Sequence, residues 1–355
     1  MTVILLALLA ATRAWPAAPV LPNTPYNYAN PPLPMHFTDQ ETAQRDTSPR
    51  ENPVTDLGAT LGRVLFYDRQ LSREGDLACA SCHIQSHGFS DPRPLSNGFQ
   101  GRRTDRHSMA LANLRWNGDG SMLWDHSQPS LEHQALLPIQ NPREMALHID
   151  DVISRMETLA YYPPLFEAAF GDSEISEDRI ARALSQFVRA MVSFRSPFDR
   201  GLEQDFQNFT ELERGGMAIF YRDGSCAACH VGNLQLFDQP DSNGLDIESE
   251  DVGYQVVTGA PEDSGKFRPP SLRNIAIRPP YMHDGRFSTL DEVIDHYSNG
   301  IQPSPGLSAV LSTDSGKAPR KMNFSDKNKK SLVAFLHTLT DRAFLDDEKF
   351  SDPFR

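Results

Sequence analysis

The sequence predicts a mainly α-helical protein made of two similar domains, and three observations support this prediction. Apolar residues recur at helical spacing in several segments, whereas the alternating pattern of a β-strand is almost absent. The pattern C-x-x-C-H occurs twice, starting at Cys79 and at Cys226. A similar apolar segment precedes each copy, and an amphipathic helix follows each. This repetition predicts two copies of one helical domain.

The N-terminus has the pattern of a secretory signal. An apolar run at 3–11 is followed by small residues up to Ala17 and Ala18, although no Lys or Arg precedes the run. No stretch of the chain approaches the roughly 18 apolar residues that a membrane span needs. We therefore expect a signal peptide at 1–18, export to the periplasm and no membrane-spanning segment. The Pro- and Asn-rich segment 19–50 predicts an extended N-terminal arm.

The first domain is predicted at 51–200. The apolar segment 61–67 has the pattern of a helix that leads into the first C-x-x-C-H copy. A closing helix is predicted after the cap-like Ser176, because apolar residues follow it at helical spacing up to Met191.

The second domain is predicted at 201–345 and repeats this plan. The segment 215–221 precedes the second copy, and a closing helix is predicted after Ser325. We place the join between the domains near 196–197, before a helix that starts around Thr210.

The charge of the chain argues against one class of function. Its 355 residues carry a formal net charge of −13. Such an acidic surface repels nucleic acid and offers no basic stripe to bind phosphates. The same charge favours a basic electron-donor protein as a partner, although an acidic surface is usually a means of solubility.

The two C-x-x-C-H copies contain every cysteine of the chain. Their members are Cys79, Cys82 and His83 in the first, and Cys226, Cys229 and His230 in the second. This is the attachment pattern of c-type haem, in which two thiols bond the porphyrin and the histidine binds its iron. Disulfides or a shared zinc site are weaker alternatives, because they leave both histidines unexplained. We therefore predict two covalently bound haem c groups, with His83 and His230 as iron ligands.

From Leu61 onward the chain resembles the bacterial di-haem cytochrome c peroxidase family, which includes the MauG-like enzymes. The matching segments, in the family's order, are LGRVLFYDRQLSREGDLACASCH, LWDHSQPSLEHQALLPIQNPREM, GSCAACH and FRPPSLRNIAIRPPYMHDGRFSTLDEV. The resemblance implies two cytochrome-c-like domains with one haem each. It implies that the N-terminal, peroxidatic haem meets hydrogen peroxide and that the C-terminal haem stores and relays electrons.

The resemblance also implies catalytic roles for three residues. Glu144 matches the family's distal acid, Gln134 its distal glutamine, and Trp124 the tryptophan between the two haems. A carboxylate beside the first haem would move the proton that cleavage of the peroxide O–O bond requires. The residues alone also allow a surface turn carboxylate at Glu144 and a core aromatic at Trp124.

A first departure from the family concerns the distal side of the N-terminal haem. Many of its peroxidases carry a histidine ligand there, and Phe99 stands at that position. Because Phe cannot bind iron, we expect this haem to be open to peroxide without prior activation. His87 and His107 lie nearby in the sequence and are alternative ligands.

A second departure concerns the sixth ligand of the C-terminal haem. Tyr297 stands where the typical peroxidase has a methionine, and MauG-like enzymes place a tyrosine there. A hard anionic oxygen ligand lowers the reduction potential and favours high-valent iron. We predict Tyr297 as the ligand, with Met282 and His296 as alternatives.

Other binding features are weaker. The resemblance implies a calcium ion between the haems, bound by the carbonyls of Arg278 and Pro280. However, His107 replaces the family's Asn ligand and is a poor calcium donor, so calcium is doubtful. Arg268 and Arg273 are candidate partners of the haem propionates. Residues 239–250 partly match a calcium-binding loop but are interpreted as a solvated acidic loop.

These features predict a periplasmic di-haem peroxidase that reduces hydrogen peroxide with electrons from a small cytochrome c or a cupredoxin. A MauG-like enzyme, which uses peroxide to oxidise a residue such as Trp on a partner protein, is the alternative. A non-catalytic di-haem electron carrier is a third hypothesis, against which Glu144 and Phe99 argue. The resemblance also implies a homodimer.

Overall fold

The computed structural model describes residues 17–230, 239–313 and 318–354. Within these ranges the chain consists of helices and loops, with isolated bridges between single residue pairs in place of a sheet. The mainly α-helical class is thereby confirmed. None of the helices found there has the length and apolar character needed to cross a bilayer. The predicted signal peptide, apart from Ala17 and Ala18, lies outside the described residues.

Most helices are short, and only a few exceed ten residues. The α-helices are α1 Met35–Thr38, α2 Gln40–Gln44, α3 Asp56–Tyr67, α4 Leu131–Gln140, α5 Ile149–Thr158, α6 Tyr162–Phe170, α7 Glu177–Ala190, α8 Pro197–Leu202, α9 Glu211–Ala218, α10 Gln255–Thr258, α11 Leu290–Asp295, α12 Asp326–His337 and α13 Arg342–Leu345. Short 3-10 turns occur at Arg69–Leu71, Cys79–Ser81, Gln85–His87, Phe99–Gly101, Leu114–Trp116, Cys226–Ala228, Pro261–Asp263, Ile275–Ile277, Ala309–Leu311 and Glu348–Phe350, and π-helical turns at Ile219–Asp223 and His296–Gly300.

Helix starts follow the capping pattern of the sequence. The Ser176 side chain accepts the backbone N–H of Arg179 at the start of α7, and Ser325 caps α12 in the same way. Thr210 and Glu213 form a capping box at the start of α9. Such side-chain acceptors satisfy backbone donors that have no partner in the first turn. The predicted starts of these three helices are confirmed.

Two helix pairs form the frame of the molecule, and each pair touches at a glycine. Helix α3 packs on α7, where a Cβ on Gly62 would lie 2.0 Å from the carbonyl oxygen of Ala183. Helix α9 packs on α12, where a Cβ on Gly216 would lie 1.8 Å from the carbonyl oxygen of Ser331. Contact this close is available only to glycine, which explains why both copies of the repeat contain one at this position.

This contact leads to a stability prediction with a neighbouring control. Gly216→Ala should lower the free energy of unfolding by about 1–3 kcal/mol, because the added methyl group forces the helices apart. Gly215→Ala should leave it unchanged or raise it by up to about 1 kcal/mol, because alanine favours helix and its Cβ would come no closer than 3.5 Å to Ser331. Denaturation of the haem-loaded protein followed by circular dichroism measures both, and equal effects would contradict the close contact.

The buried apolar residues form two main clusters, one around each helix pair. The first cluster contains Phe66 of α3 and Phe187 of α7. The second contains Phe220, in the turn after α9, and Phe335 of α12. The C-terminal Phe344, Leu345 and Phe350 join the first cluster, so the end of the chain returns to the first half.

The N-terminal arm is also tied to both halves of the molecule. Tyr28 is buried in the first cluster, whereas Nε2 of His36 hydrogen bonds to the carboxylate of Asp199 in the second half at 2.9 Å. The predicted domain limits of 51–200 and 201–345 remain a prediction.

A matched pair of tight turns brings the two halves together. The backbone of Met122 pairs with Gln128, and that of Tyr281 pairs with Phe287 at the same spacing. The second residue of each turn, Leu123 or Met282, has a positive φ. The third residue carries an aromatic ring, which is Trp124 in the first turn and His283 in the second. These two ring centroids lie 6.5 Å apart, edge to face. The repeat thus places Trp124 at the contact between the two halves.

Candidate active site

The first C-x-x-C-H segment forms a compact turn that orients its histidine. The N–H of His83 donates to the carbonyl of Cys79 at 3.0 Å, which closes the turn. Nδ1 of His83 lies 3.0 Å from the carbonyl oxygen of Phe89. Because a carbonyl can only accept, Nδ1 must carry the proton, and Nε2 is left with the lone pair that binds iron. Burial raises the pKa of the Cys79 thiol to about 12.

The second copy has the same local geometry. The N–H of His230 donates to the carbonyl of Cys226 at 2.9 Å, and Nδ1 donates to the carbonyl of Pro270 at 3.1 Å. Burial lowers the pKa of His230 to about 4, which keeps the imidazole in its neutral, metal-binding form. None of the four cysteines forms a disulfide. Both motifs therefore present two thiols and one oriented imidazole, as haem c requires.

A large apolar cavity adjoins the second motif, and we call it the haem cavity. It spans about 1390 Å³ of space, a volume that includes open solvent. Its lining includes His230 and both cysteines of the motif, together with the apolar side chains of Phe220, Leu272, Leu332 and Leu336. The mostly apolar lining beside the motif fits a large, mostly apolar cofactor such as haem.

Two of the three predicted sixth ligands line the haem cavity. The hydroxyl of Tyr297 lies 3.4 Å from Nδ2 of Asn243, and the same amide lies 3.4 Å from Sδ of Met282. Burial raises the pKa of Tyr297 to about 12. Nε2 of His296 instead bonds to the carbonyl of Asn243 at 3.0 Å, and His296 is absent from the described lining. The arrangement leaves Tyr297 and Met282 as candidates and does not favour His296.

Asn243 is a site residue that the sequence interpretation missed. It belongs to the segment 239–250, which we expected to be a solvated acidic loop. In the structure Asp241, Ser242 and Asn243 form part of the cavity wall, so that expectation is wrong for this part of the loop. The local sequence signal is the Asn243-Gly244 pair: Gly244 has a φ of 65°, and a Cβ there would lie 2.7 Å from the carbonyl oxygen of Gln302.

The predicted distal acid faces the first haem motif. The chain reverses after α4, and the Glu144 carboxylate accepts a hydrogen bond from Nδ2 of Asn141 at 2.7 Å through Oε1. Burial raises the pKa of Glu144 above its ordinary range. Its negative charge in turn contributes to the raised pKa of both Cys79 and Cys82, after the effect of their own burial. Glu144 is therefore a half-buried acid beside the haem-attachment thiols and not an exposed turn residue.

Gln134 lies in the first half of α4 (Leu131–Gln140). Its side-chain oxygen Oε1 is buried and has no hydrogen-bond partner among the described residues. Buried acceptors are nearly always satisfied. The free acceptor lies on the helix that leads to Glu144, so a ligand bound there could donate a hydrogen bond to it.

Phe99 contacts the backbone of the Glu144 loop. Its backbone N–H donates to the carbonyl of Glu144 at 2.7 Å. The guanidinium groups of Arg73 and Arg102 lie 5.6 and 5.9 Å from the centroid of its buried ring. The preceding Gly98 permits this approach, since a Cβ there would lie 1.9 Å from a backbone carbonyl of the Glu144 loop.

The alternative distal histidines have other contacts. Both ring nitrogens of His107 are used: Nδ1 lies 3.1 Å from the carbonyls of Arg93 and Pro94, and Nε2 lies 3.2 Å from Oγ of Ser90. His87 is half-buried, with its nearest polar contact to the adjacent Ser86 at 3.5 Å. Neither contact set favours iron binding.

Trp124 connects the haem cavity with the first haem motif. Its buried indole lines the cavity, and Nε1–H donates to the carbonyl of His107 at 2.8 Å. The imidazole of His107 contacts Ser90, the residue next to the Phe89 carbonyl that orients His83. The backbone N–H of Arg268 donates to the Trp124 carbonyl at 2.8 Å and holds the turn in place.

The two arginines predicted to pair with haem propionates lie in different surroundings. Arg268 lines the haem cavity, and its Nη1 donates to the carbonyl of Ser121 at 2.5 Å. Arg273 instead forms a buried ion pair with Asp199 at 2.7 Å and is absent from the described lining. Its role as a propionate partner stays a prediction, which this ion pair does not favour. Arg278, which we considered only for its carbonyl, brings its side chain to the cavity.

Comparisons with known proteins agree with this geometry. The family model for di-haem cytochrome c peroxidase matches residues 57–207. The methylamine utilization protein MauG of Methylophilus methylotrophus is 35% identical over 82% of this chain and 85% of its own. The cytochrome c551 peroxidase of Nitrosomonas europaea is 30% identical, covering 79% of each chain. A solved MauG-like protein associated with microbial copper homeostasis superposes with a TM-score of 0.78 at 35% identity, over 86% of this chain and 96% of that one.

The fold, the two motifs and these relatives define a haem-dependent oxidoreductase. The chain belongs to the di-haem cytochrome c peroxidase family, in which cytochrome c peroxidases and MauG proteins both occur. Haem c is the cofactor of that family.

Proposed function

We propose that this protein is an exported di-haem peroxidase in which hydrogen peroxide reacts at the haem held by Cys79, Cys82 and His83. A second covalently attached haem, at Cys226, Cys229 and His230, receives electrons from a small cytochrome c or a cupredoxin. The observation that carries the proposal is the half-buried carboxyl of Glu144, whose pKa is raised beside the first pair of thiols. An electron carrier with two saturated haems has no use for such an acid.

The chain's own residues bind peroxide and move its proton. When bound, haem supplies the redox chemistry that delivers two electrons to peroxide. Because Oε1 of Glu144 is engaged by Asn141, the other oxygen, Oε2, is the one that accepts a proton from peroxide and returns it to the departing oxygen. The orphaned Oε1 of Gln134 receives a hydrogen bond from the bound peroxide. Phe99 offers no nitrogen to compete with peroxide.

A MauG-like activity is the second candidate, and two residues favour it. Phe99 stands in place of the distal ligand that many peroxidases displace on activation. Tyr297 lines the haem cavity at the position where the typical peroxidase has a methionine and MauG-like enzymes have a tyrosine. Both features suit an enzyme that keeps its oxidising equivalents and transfers them to a residue, such as Trp, on a partner protein.

One experiment separates the candidates. Optical and EPR spectra of the ferric protein are recorded before and after stoichiometric hydrogen peroxide without reductant. A high-spin haem with fast turnover of peroxide by a reduced cytochrome c or cupredoxin is the expected result for the peroxidase. A long-lived oxidised spectrum, with slow use of the small donor, would favour the MauG-like activity. Two low-spin haems that do not react with peroxide would favour the non-catalytic electron carrier.

The sixth ligand of the second haem is predicted to be Tyr297. Tyr297→Phe should change the optical and EPR spectrum of that haem and leave the spectrum of the first haem unaltered, because it removes the only oxygen donor of that side chain. Met282→Leu is the matched control and should leave both spectra unaltered. The opposite result, a change with Met282→Leu alone, would assign the ligand to Met282.

Three further expectations complete the proposal. Residues 1–18 are the signal peptide, the two haem domains span 51–200 and 201–345, and the protein forms a homodimer in the periplasm. Mass spectrometry of the exported protein measures the new N-terminus and the two attached haems together. A mass with fewer than two haems would contradict covalent attachment at both motifs.

A further inference from the structure

Arg278 is a buried cation with no anionic partner in the part of the chain that the structure describes. Its side chain is 6% exposed, and it forms no ion pair with any of the described residues. One of its guanidinium nitrogens, Nη2, donates to the carbonyl of Ser271, whereas Nε is buried and has no hydrogen-bond partner within the described ranges. Burial lowers the pKa of Arg278 to about 10, which still leaves it positively charged at neutral pH. A buried unpaired charge is costly, so the functional protein is expected to supply an anion.

The location of Arg278 connects the two haem sites. Arg278 is part of the wall of the haem cavity at the second motif. Its aliphatic stem packs on the loop of the first motif, where a Cβ on Gly88 would lie 3.6 Å from Cδ of Arg278. After the effect of burial, its positive charge also helps to lower the pKa of His107 and of His230. Arg278 therefore contacts the loop that follows the first motif and lies close enough to His230 of the second motif to affect its pKa.

The calcium ion implied by the family does not fit this arrangement. Calcium takes about six to eight oxygen ligands, but the His107 ring that replaces the family's Asn is held by the carbonyls of Arg93 and Pro94. The guanidinium of Arg278 is near enough to His107 to shift its pKa, so a divalent cation bound there would be repelled. In the described ranges, no three His, Cys, Asp or Glu side chains come together as an alternative metal site.

We propose that Arg278 is a built-in cation between the two haem sites, which pairs with a haem propionate and takes the place of the family's calcium ion. The inference rests on the proposed two-haem assembly, but it does not depend on the substrate. Guanidinium binds a carboxylate through two parallel hydrogen bonds, and among the described residues the Nε of Arg278 has no hydrogen-bond partner. The positive charge that a bound calcium ion would supply in relatives is then supplied by the guanidinium of Arg278.

The first test uses the wild-type protein with both haems attached. Calcium content is measured by elemental analysis, and optical and EPR spectra are recorded before and after dialysis against EGTA and after addition of calcium chloride. We expect no bound calcium and no spectral change. One calcium per chain, whose removal alters the spin state of either haem, would overturn the inference.

The second test measures the reduction potential of the second haem. Arg278→Gln should lower this potential, because loss of a nearby positive charge favours the oxidised iron, whereas Arg278→Lys should retain most of the wild-type value. Arg179→Gln, which removes a surface guanidinium paired with Asp172, is the control and should change nothing. Equal potentials in Arg278→Gln and the wild type would overturn the inference.

These measurements are independent of turnover. If Arg278→Gln fails to bind two haems, two measurements still test the inference. They are the reduction potential of Arg278→Lys and the calcium content of the wild type. A protein without peroxidase activity that is insensitive to EGTA and has an Arg278-dependent potential would retain Arg278 as the inter-haem cation and reject the proposed function.

Discussion

Replacing Glu144 with Gln is expected to slow the reaction with hydrogen peroxide by about 10²–10⁴-fold, the usual contribution of a positioned acid–base group. The amide has the shape of the carboxyl and can still accept the hydrogen bond from Asn141, but it cannot take up a proton. Stopped-flow mixing of the ferric protein with peroxide measures the rate, and mass spectrometry verifies that both haems are attached. Glu157→Gln, at an exposed position of α5, is the control and should react at the wild-type rate.

The raised pKa of Glu144 also predicts the pH dependence. The carboxylate must be ionised to accept the proton of peroxide, so the rate falls as pH decreases through its pKa. Since burial raises that pKa, this acid limb lies at higher pH than for an ordinary glutamate. Asn141→Ala removes a hydrogen bond that favours the ionised form and should move the limb to still higher pH. A limb that moves to lower pH, or a wild-type rate in Glu144→Gln, would remove Glu144 from the proposed chemistry.

Features set by local sequence were predictable. The C-x-x-C-H spacing determines a turn in which the histidine N–H reaches the first cysteine carbonyl, and both copies adopt it. Helix caps such as Ser176 and Ser325 bond to a backbone group three residues ahead, so they too are visible in the sequence. The glycine of each helix pair appears in the repeat itself, although its close contact with the partner helix appears only in the structure.

Features that depend on long-range contacts were not predictable. Arg273 and Arg278 are five residues apart and chemically alike, yet one pairs with Asp199, 74 positions earlier in the chain, and the other lines the haem cavity. Asn243 contacts Tyr297 across 54 positions and lies in a segment whose composition predicts solvent exposure. No local pattern distinguishes these alternatives, because each depends on how two distant loops meet.

Replacing Trp124 with Phe is expected to disconnect the two haem sites. The proposed relay depends on the indole, which lines the haem cavity and bonds through the His107 carbonyl toward the loop that orients His83. Because the partner of Nε1–H is a carbonyl, a very weak base, an indole that gives up an electron keeps its proton and remains ready to take an electron back. Phe preserves the apolar contact with His283 but is much harder to oxidise and lacks the N–H.

Stoichiometric peroxide should therefore alter the spectra of both haems at once in the wild type and only that of the first haem in Trp124→Phe. Turnover with a reduced donor should fall by about tenfold or more, since a barrier increase of about 1.4 kcal/mol is sufficient for that loss. Trp116→Phe, at a buried indole that packs on Phe37 away from the haem cavity, is the matched control. If both haems still respond together in Trp124→Phe, electrons pass between the halves without this side chain, and the edge-to-face contact with His283 is a packing feature alone.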